Sequence, residues 1–159
     1  MATTSPDEAA WVAHLIFKLD QQHYALAIGQ VVEVAAMVDL VATPDVDEVF
    51  LGVANRHGTV LPMLDLRPIF RQPVAPVDTS TLFIVARADS QSVGLVVDEV
   101  LRIEYFDLSQ AARSTSRGSF LQGIVTRGEQ VIQLVALASL LAAWLPQDIP
   151  ADFEGEQAT

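Results

Sequence analysis

Hydrophobic and polar residues alternate with a period of two along much of the chain, which predicts β-strands. The alternating segments are His14–Leu19, Tyr24–Ile28 and Thr59–Leu66. In the first of them we expect Leu15, Phe17 and Leu19 to face a core and the residues between them, beginning with His14, to point outward. Leu82–Ala86 is continuously apolar, which predicts a strand buried on both faces.

Polar and glycine-bearing stretches between these segments predict turns, because glycine adopts positive φ without steric cost. The predicted turns are Asp20–His23, Arg56–Gly58, Asp89–Gln91 and Arg127–Glu129. A short helical turn is predicted at Pro68–Arg71. Pro73 and Pro76 mark a break between two halves of the chain. The chain is therefore predicted to be rich in β-hairpins.

One longer helix is predicted near the C-terminus. Leu134, Leu137, Leu141 and Trp144 recur at helical spacing, and Pro146 stops the run. Outside this region both ends of the chain are polar or acidic, which is typical of loose tails. We therefore expect one domain over residues 13–145, with flexible tails at residues 1–12 and 146–159.

The chain also contains an internal repeat. Gly52–Arg56 resembles Gly123–Arg127 at an offset of 71 residues, and Tyr24–Val34 resembles Val93–Ile103 at an offset of 69. Two segments with nearly the same offset indicate a duplicated β unit, although amphipathic strands also resemble one another by chance. A duplication favours two similar small barrels, which leave no open sheet edge.

Composition narrows the class of protein. The chain has 159 residues, of which 51% are hydrophobic and 18% charged, so it can form a core. Its net charge of −11 disfavours nucleic acid and anionic membrane surfaces as partners. The chain has no cysteine, and Leu134–Leu145, its longest apolar run, is shorter than the roughly 20 residues that span a bilayer. Met1–Ala10 lacks the basic residues of a secretory signal, so we expect a cytoplasmic protein without membrane insertion.

No catalytic or metal-binding constellation is recognisable. The histidines His14, His23 and His57 lack metal-ligand spacing. Asp98 and Glu99 are adjacent on a predicted strand and would point to opposite faces, so they would not share a proton. Neither a phosphate-binding loop nor a nucleophile elbow occurs. We predict no catalytic residue, no metal site and no cofactor.

A polar hairpin over Gly52–Arg67 stands out from the apolar framework. Asn55 can bond its own turn, and Gly58 can adopt positive φ. Asp65 and Arg67 are two residues apart, so on a strand they share a face and can pair with each other or with groups elsewhere.

This hairpin resembles the motif G-V-x-N-x-R-G-x-[IV]-[IV]-P-[VI]-x-D-L-R of the CheW-like family. The matching residues are Gly52, Val53, Asn55, Gly58, Pro62, Asp65, Leu66 and Arg67. Phe17–Val34, Val93–Val100 and Gly123–Leu141 resemble the opening strands, a V-G-[LI]-x-V-D-x-V strand and the closing strands and helix of that family. The resemblance covers about residues 13–145.

The resemblance implies a mainly β fold of two packed, intertwined five-stranded barrels with a short C-terminal helix. It also implies a non-enzymatic adaptor that binds the regulatory domain of a CheA-type histidine kinase and the cytoplasmic tip of methyl-accepting chemoreceptors. In that family an apolar groove between the barrels holds the helical receptor tip. On this basis the predicted partner-binding residues are Val31, Glu33, Asn55, Arg56, His57, Gly58, Asp65, Arg67 and Val97. Val31 has a second interpretation as a core residue.

Two departures from the family pattern leave alternatives open. His57 stands where the family usually has arginine, with Arg56 one place earlier, and Val135–Leu137 lacks the usual acidic residue. Either Arg56 substitutes or the partner contact is altered, as in an accessory or divergent adaptor of a pilus or surface-behaviour pathway. A third hypothesis is a small-ligand-binding barrel or an enzyme using Asp65, Arg67 and His57, which lacks a base–nucleophile pair.

Overall fold

The computed structural model describes residues 11–113 and 120–146, and most of these residues lie in strands. The strands are β1 Trp11–Leu19, β2 Gln22–Ala27, β3 Val31–Ala36, β4 Phe50–Arg56, β5 Thr59–Asp65, β6 Leu82–Ala88, β7 Gln91–Val97, β8 Glu99–Asp107, β9 Ala112–Arg113, β10 Leu121–Arg127 and β11 Gln130–Val135. The helices are α1 Leu66–Ile69 and α2 Leu137–Trp144. The prediction of a mainly β fold with a short C-terminal helix is confirmed.

The strands form two sheets. Sheet A has six strands in the order β8-β1-β2-β11-β10-β9, and sheet B has five in the order β3-β6-β7-β5-β4. Each sheet joins two antiparallel hairpins through one parallel contact, β2 with β11 in sheet A and β5 with β7 in sheet B. The two sheets therefore repeat the same strand plan, apart from the additional short strand β9.

Each half of the chain contributes strands to both sheets. The first half supplies β1 and β2 to sheet A and β3, β4 and β5 to sheet B, whereas the second half supplies β6 and β7 to sheet B and β8 to β11 to sheet A. β3 follows β2 in the sequence but pairs with β6 in sheet B, and β8 follows β7 but pairs with β1 in sheet A. Gly52 and Gly123, which begin the repeated segments, each lie at a β-bulge in the first strand of a hairpin. These correspondences support the predicted duplication and show that its two copies are intertwined.

Three clusters of buried side chains form the core. We call the largest the central cluster, because it combines residues of both sheets, such as Leu15 and Ile84, with Leu140 of α2. Two smaller clusters belong to one sheet each, around Ile16 in sheet A and Met63 in sheet B. Burying one such aliphatic side chain contributes roughly 1.5–3 kcal/mol to folding.

The structure corrects the predicted orientation of β1. His14 and Ile16, which we expected to point outward, are both fully buried. β1 lies between the central cluster on one face and the sheet A cluster on the other, so period-two alternation does not separate core from solvent here. The strand also begins at Trp11, so Trp11 and Val12 are part of the sheet rather than of the predicted tail; residues 1–10 and 147–159 lie outside the described residues.

The turns and helices follow the sequence with one shift. Asp20, His57 and Asp89 lie in predicted turns and have positive φ values of 57°, 56° and 57°. Leu134 belongs to β11 rather than to the helix, which begins at Leu137 and ends two residues before Pro146. Among the described residues, no helix has the length and apolar character needed to cross a membrane.

Candidate functional site

The β4–β5 hairpin carries four of the predicted partner-binding residues at or near its tip. The Asn55 side-chain oxygen accepts a hydrogen bond from the Gly58 amide at 3.0 Å, which closes the turn. His57 has φ of 56° and Gly58 has φ of 85°, so both adopt the left-handed backbone that such hairpin turns require. This backbone leaves the His57 side chain exposed at the tip.

Arg56 of β4 pairs with Glu33 of β3, and these are the two outermost strands of sheet B. Arg56 Nε donates to Glu33 Oε2 at 2.8 Å, and Arg56 Nη2 contacts the same oxygen. The guanidinium carbon lies 5.7 Å from the centroid of the Phe83 ring, within range of a cation–π contact. The pair therefore sits at the surface, with its side chains 18% and 40% exposed for Arg56 and Glu33.

Asp65 and Arg67 pair in the interior. Arg67 Nε and Nη2 donate to the two carboxylate oxygens of Asp65 at 2.9 and 3.0 Å, a bidentate contact. Arg67 Nη1 donates to Asp98 Oδ1 at 3.1 Å. Burial by itself lowers the pKa of Arg67, but hydrogen bonds and attraction from Asp65 and Asp98 outweigh it and raise that pKa above its usual value. The guanidinium is therefore held charged inside the protein.

Burial removes three predicted contacts from the surface. Asp65, Arg67 and Val97 are 1%, 2% and 1% exposed. Asp65 also accepts the Arg67 backbone N–H and so caps α1. We therefore correct their placement on a partner-binding surface and assign them to the framework beneath it. Asp98 is exposed at the surface and joins the same network through one carboxylate oxygen.

Two pairs of exposed apolar residues on strands β3 and β8 were not predicted from the sequence. On β3, Val32 is 57% and Val34 39% exposed, whereas Val31 is half-buried and packs against the central cluster. On β8, Ile103 is 55% and Tyr105 62% exposed. We call Val32, Val34, Ile103 and Tyr105 the apolar rim.

The rim borders the central cluster from both sheets. Val34 lies opposite Ile84 in the β3–β6 pair, and Ile103 lies opposite Leu15 in the β8–β1 pair. Ile84 and Leu15 both belong to the central cluster. β3 and β8 are the outermost strands of their sheets, and each pairs with one neighbouring strand only. The sequence gives no signal for the exposure of these side chains, because exposure depends on how distant strands pack.

The residues of the ligand or enzyme hypothesis do not converge. His57 is exposed at the hairpin tip, whereas Asp65 and Arg67 are buried and engaged with each other. Within residues 11–113 and 120–146, no group of three histidine, cysteine, aspartate or glutamate residues is placed to hold a metal ion. The geometry gives this hypothesis no support.

Comparison with known proteins agrees with the fold. Over 134 residues the chain is 29% identical to the chemotaxis protein CheW of Klebsiella aerogenes, which covers 81% of each chain. It is 24% identical to the chemotaxis protein CheW of Helicobacter pylori over 129 residues, or 79% and 78% of the two chains. The crystal structure of the scaffolding protein TtCheW from Thermoanaerobacter tengcongensis has a TM-score of 0.70 at 24% identity, covering 78% of this chain and 88% of that one.

The family assignment rests on a profile match. Residues 13–143 match the CheW-like domain, an interval close to the one indicated by the sequence motifs. The predicted resemblance and the predicted fold are both confirmed. The chain belongs to the CheW-like domain family.

Proposed function

We propose that this protein is a non-enzymatic adaptor that couples methyl-accepting chemoreceptors to a CheA-type histidine kinase. The observation that carries the proposal is the match to the CheW-like domain over residues 13–143. Relatives that carry the name chemotaxis protein CheW support the same role.

The apolar rim is the proposed contact for the receptor tip. A helical partner recognised in a groove presents an apolar stripe to apolar anchors. Val32 and Val34 on one sheet and Ile103 and Tyr105 on the other supply such anchors beside the central cluster. Val31 supports them from below, since it is half-buried against that cluster.

The Glu33–Arg56 pair and the hairpin tip are the proposed polar contacts. Arg56 is hydrogen-bonded to Glu33, which is itself a predicted partner-binding residue. This contact favours the interpretation that Arg56 substitutes for the arginine that the family usually has at the position of His57. A partly exposed ion pair contributes little to folding, about 0–1 kcal/mol, so it is free to serve partner recognition. Asn55 and Gly58 fix the turn that presents His57.

The test is calorimetric titration of the purified protein with the regulatory domain of the kinase encoded nearest its gene, and separately with a receptor-tip fragment. We expect one-to-one binding with a Kd on the order of 1 μM, or about −8 kcal/mol. Val32→Asp should weaken receptor-tip binding at least about tenfold, because burying an unpaired carboxylate is costly.

Val74→Asp is the matched control, since Val74 is 56% and Val32 57% exposed, and Val74 lies in the connector between α1 and β6. Equal effects of the two substitutions would remove the rim from the proposal. Failure of the folded wild-type protein to bind either partner would reject the adaptor role itself.

A further inference from the structure

Each half of the apolar rim is built on the same three-residue pattern, in which a glutamate lies between two exposed apolar residues. The pattern occupies residues 32–34 on β3, with Glu33 at its centre, and residues 103–105 on β8, with Glu104 at its centre. The two glutamates are 71 residues apart, which is the offset found for the repeated hairpin segments. The two halves of the rim are therefore copies of one unit.

An arginine holds the glutamate in each copy. Arg56, the last residue of β4, pairs with Glu33. Arg127, the last residue of β10, has its Nη2 atom 3.6 Å from Glu104 Oε1. The two arginines are also 71 residues apart. The duplicated unit therefore includes an ion pair, which joins β3 to the end of β4 in sheet B and β8 to the end of β10 in sheet A.

The strands that these ion pairs join are not neighbours in their sheets. β3 and β4 are the outermost strands of sheet B, and β8 and β10 are separated by β1, β2 and β11 in sheet A. Each guanidinium also lies over a buried phenylalanine of the small cluster in its own sheet. Arg56 is 5.7 Å from the ring centroid of Phe83, and Arg127 is 4.8 Å from that of Phe106. Each arginine thus lies against one small cluster and connects a rim strand to a distant strand of the same sheet.

Arg127 holds β8 at three consecutive residues. In addition to its ion pair with Glu104 and its contact with the Phe106 ring, Arg127 Nη2 donates to the Tyr105 carbonyl oxygen at 2.6 Å. Arg102 Nε donates to the other carboxylate oxygen of Glu104. Tyr105 is the most exposed residue of the rim, and its side chain is presented from a backbone that Arg127 fixes. Because β8 pairs with β1 alone, these contacts restrict how far the strand can move.

We propose that Glu104 and Arg127 are positioning residues for the receptor contact, because they hold the β8 half of the apolar rim. The equivalent pair, Glu33 and Arg56, holds the β3 half. This inference rests on the proposed adaptor function. The rim residues of β8 anchor an apolar stripe well only when their strand is fixed, since ordering a mobile strand on binding subtracts from the affinity. A receptor tip that contacts both sheets uses both halves, so loss of either ion pair weakens the same interaction.

The experiment measures amide hydrogen exchange and partner binding of the full chain in parallel. Arg127→Gln removes the ion pair and the contact with the Phe106 ring, and we expect it to raise the exchange rates of the protected β8 amides about fivefold. Exchange in β3 should stay as in the wild type. In calorimetry the same variant should weaken binding of a receptor-tip fragment about fivefold and leave binding of the kinase regulatory domain unchanged. Arg56→Gln is the reciprocal comparison, with faster exchange in β3 and not in β8.

Two further variants complete the series. Glu104→Gln removes the ion pair but keeps the Arg127 bond to the Tyr105 carbonyl, so it should act in the same direction as Arg127→Gln, and it carries the same comparisons if Arg127→Gln does not fold. Arg87→Gln is the matched control, because it also removes one exposed positive charge. The Arg87 guanidinium donates to the Asp89 carbonyl at 3.4 Å within its own hairpin, so we expect exchange in β8 and receptor-tip binding to stay as in the wild type.

The outcomes separate this inference from the function on which it rests. Folded wild-type protein that does not bind the receptor tip would reject the proposed receptor contact, and this inference with it. If the wild type binds, the positioning role is overturned when Arg127→Gln binds the receptor tip as tightly as the wild type or leaves exchange in β8 unchanged. Equal weakening of receptor-tip and kinase binding would also overturn it, because that result indicates a general loss of stability.

Discussion

Arg67 and Asp98 are 31 residues apart in the sequence, yet Arg67 Nη1 lies 3.1 Å from Asp98 Oδ1. Asp98 follows β7 of sheet B, and its other carboxylate oxygen accepts the backbone N–H of Asp20 in the β1–β2 turn of sheet A. The Asp98 amide in turn donates to the Lys18 carbonyl at 3.1 Å. Arg67 is thereby connected, through one aspartate, to the backbone of the other sheet.

Replacing Arg67 should destabilise the protein strongly. Arg67→Met leaves the Asp65 carboxylate buried without its bidentate partner, and such an uncompensated charge costs about 3–5 kcal/mol. Urea unfolding followed by circular dichroism gives the free energy of unfolding. Asp98→Asn should cost less, because the Asp98 side chain is 30% exposed and water can replace part of the contact.

The double substitution Asp65→Leu with Arg67→Met provides the control for this prediction. Since it removes both buried charges together, its cost should be well below the sum of the two single substitutions. Additive costs would show that the pair contributes through packing alone and would contradict the assignment of Arg67 as the neutralising partner of Asp65.

Arg56 should matter for partner binding rather than for folding. Arg56→Gln should lower the free energy of unfolding by less than about 1 kcal/mol, because the Glu33–Arg56 pair is at the surface. The same substitution should weaken kinase or receptor binding measurably in calorimetry. His57→Asn keeps the left-handed turn and tests the other position at the hairpin tip. If His57→Asn weakens binding and Arg56→Gln does not, His57 rather than Arg56 makes the partner contact.

Gly52 should tolerate no side chain. It has φ of 125°, and a Cβ atom added there would lie 2.5 Å from the Val41 carbonyl oxygen, which is held by a hydrogen bond from Val53. Gly52→Ala should therefore cost about 2 kcal/mol or more. Gly29→Ala is the control, since nothing lies within 4 Å of its added Cβ, and it should change stability by no more than about 0.5 kcal/mol. Comparable melting temperatures for the two variants would contradict the geometry.

Stability should fall in mild acid because of His14. Burial lowers the pKa of His14 below its ordinary 6.5 and the hydrogen bond to Val12 opposes this only in part. Above pH 6.5 both folded and unfolded states hold a neutral ring; below it the unfolded state binds a proton that the folded state does not, so the free energy of unfolding decreases as pH falls. A single group changes it by at most about 1.4 kcal/mol per pH unit.

The free energy of unfolding is measured by urea unfolding at a series of pH values from 7.5 to 5, which lie on either side of the ordinary histidine pKa of about 6.5. The solutions contain chloride and no carboxylate or phosphate buffer. His14→Phe should reduce the dependence, and a part of it should remain because burial also lowers the pKa of His23. An unchanged slope in His14→Phe would show that His14 is not the group that titrates.

The sequence was informative wherever structure depends on neighbours along the chain. The hairpin turns and the C-terminal helix follow from local spacing, because a turn residue or a shared face is set within a few positions. The same spacing placed Asp65 and Arg67 within reach of each other but left open whether they pair. The motif from Gly52 to Arg67, together with the segments Phe17–Val34, Val93–Val100 and Gly123–Leu141, indicated the family.

The remaining features depend on pairing between distant strands. The alternation around His14 predicted that its side chain points to solvent. In the structure β1 lies between the central cluster and the sheet A cluster, so the side chains of His14 and Ile16 are buried. The exposure of Val32 and Ile103 depends on what packs against the faces of β3 and β8, which no local pattern encodes. The contact between the exposed Asp98 and the buried Arg67 was not predicted, because the two residues are distant in sequence.

The reciprocal placement of β3 and β8 has a consequence for how such a chain could arise. A single copy of the duplicated unit supplies two strands to one sheet and three to the other, so it could complete a five-stranded sheet only with strands from a second copy. Two separate copies would then form a domain-swapped homodimer with twofold symmetry. In this protein the segment between α1 and β6 joins the two copies covalently, which makes the partnership permanent and lets the two formerly identical surfaces diverge.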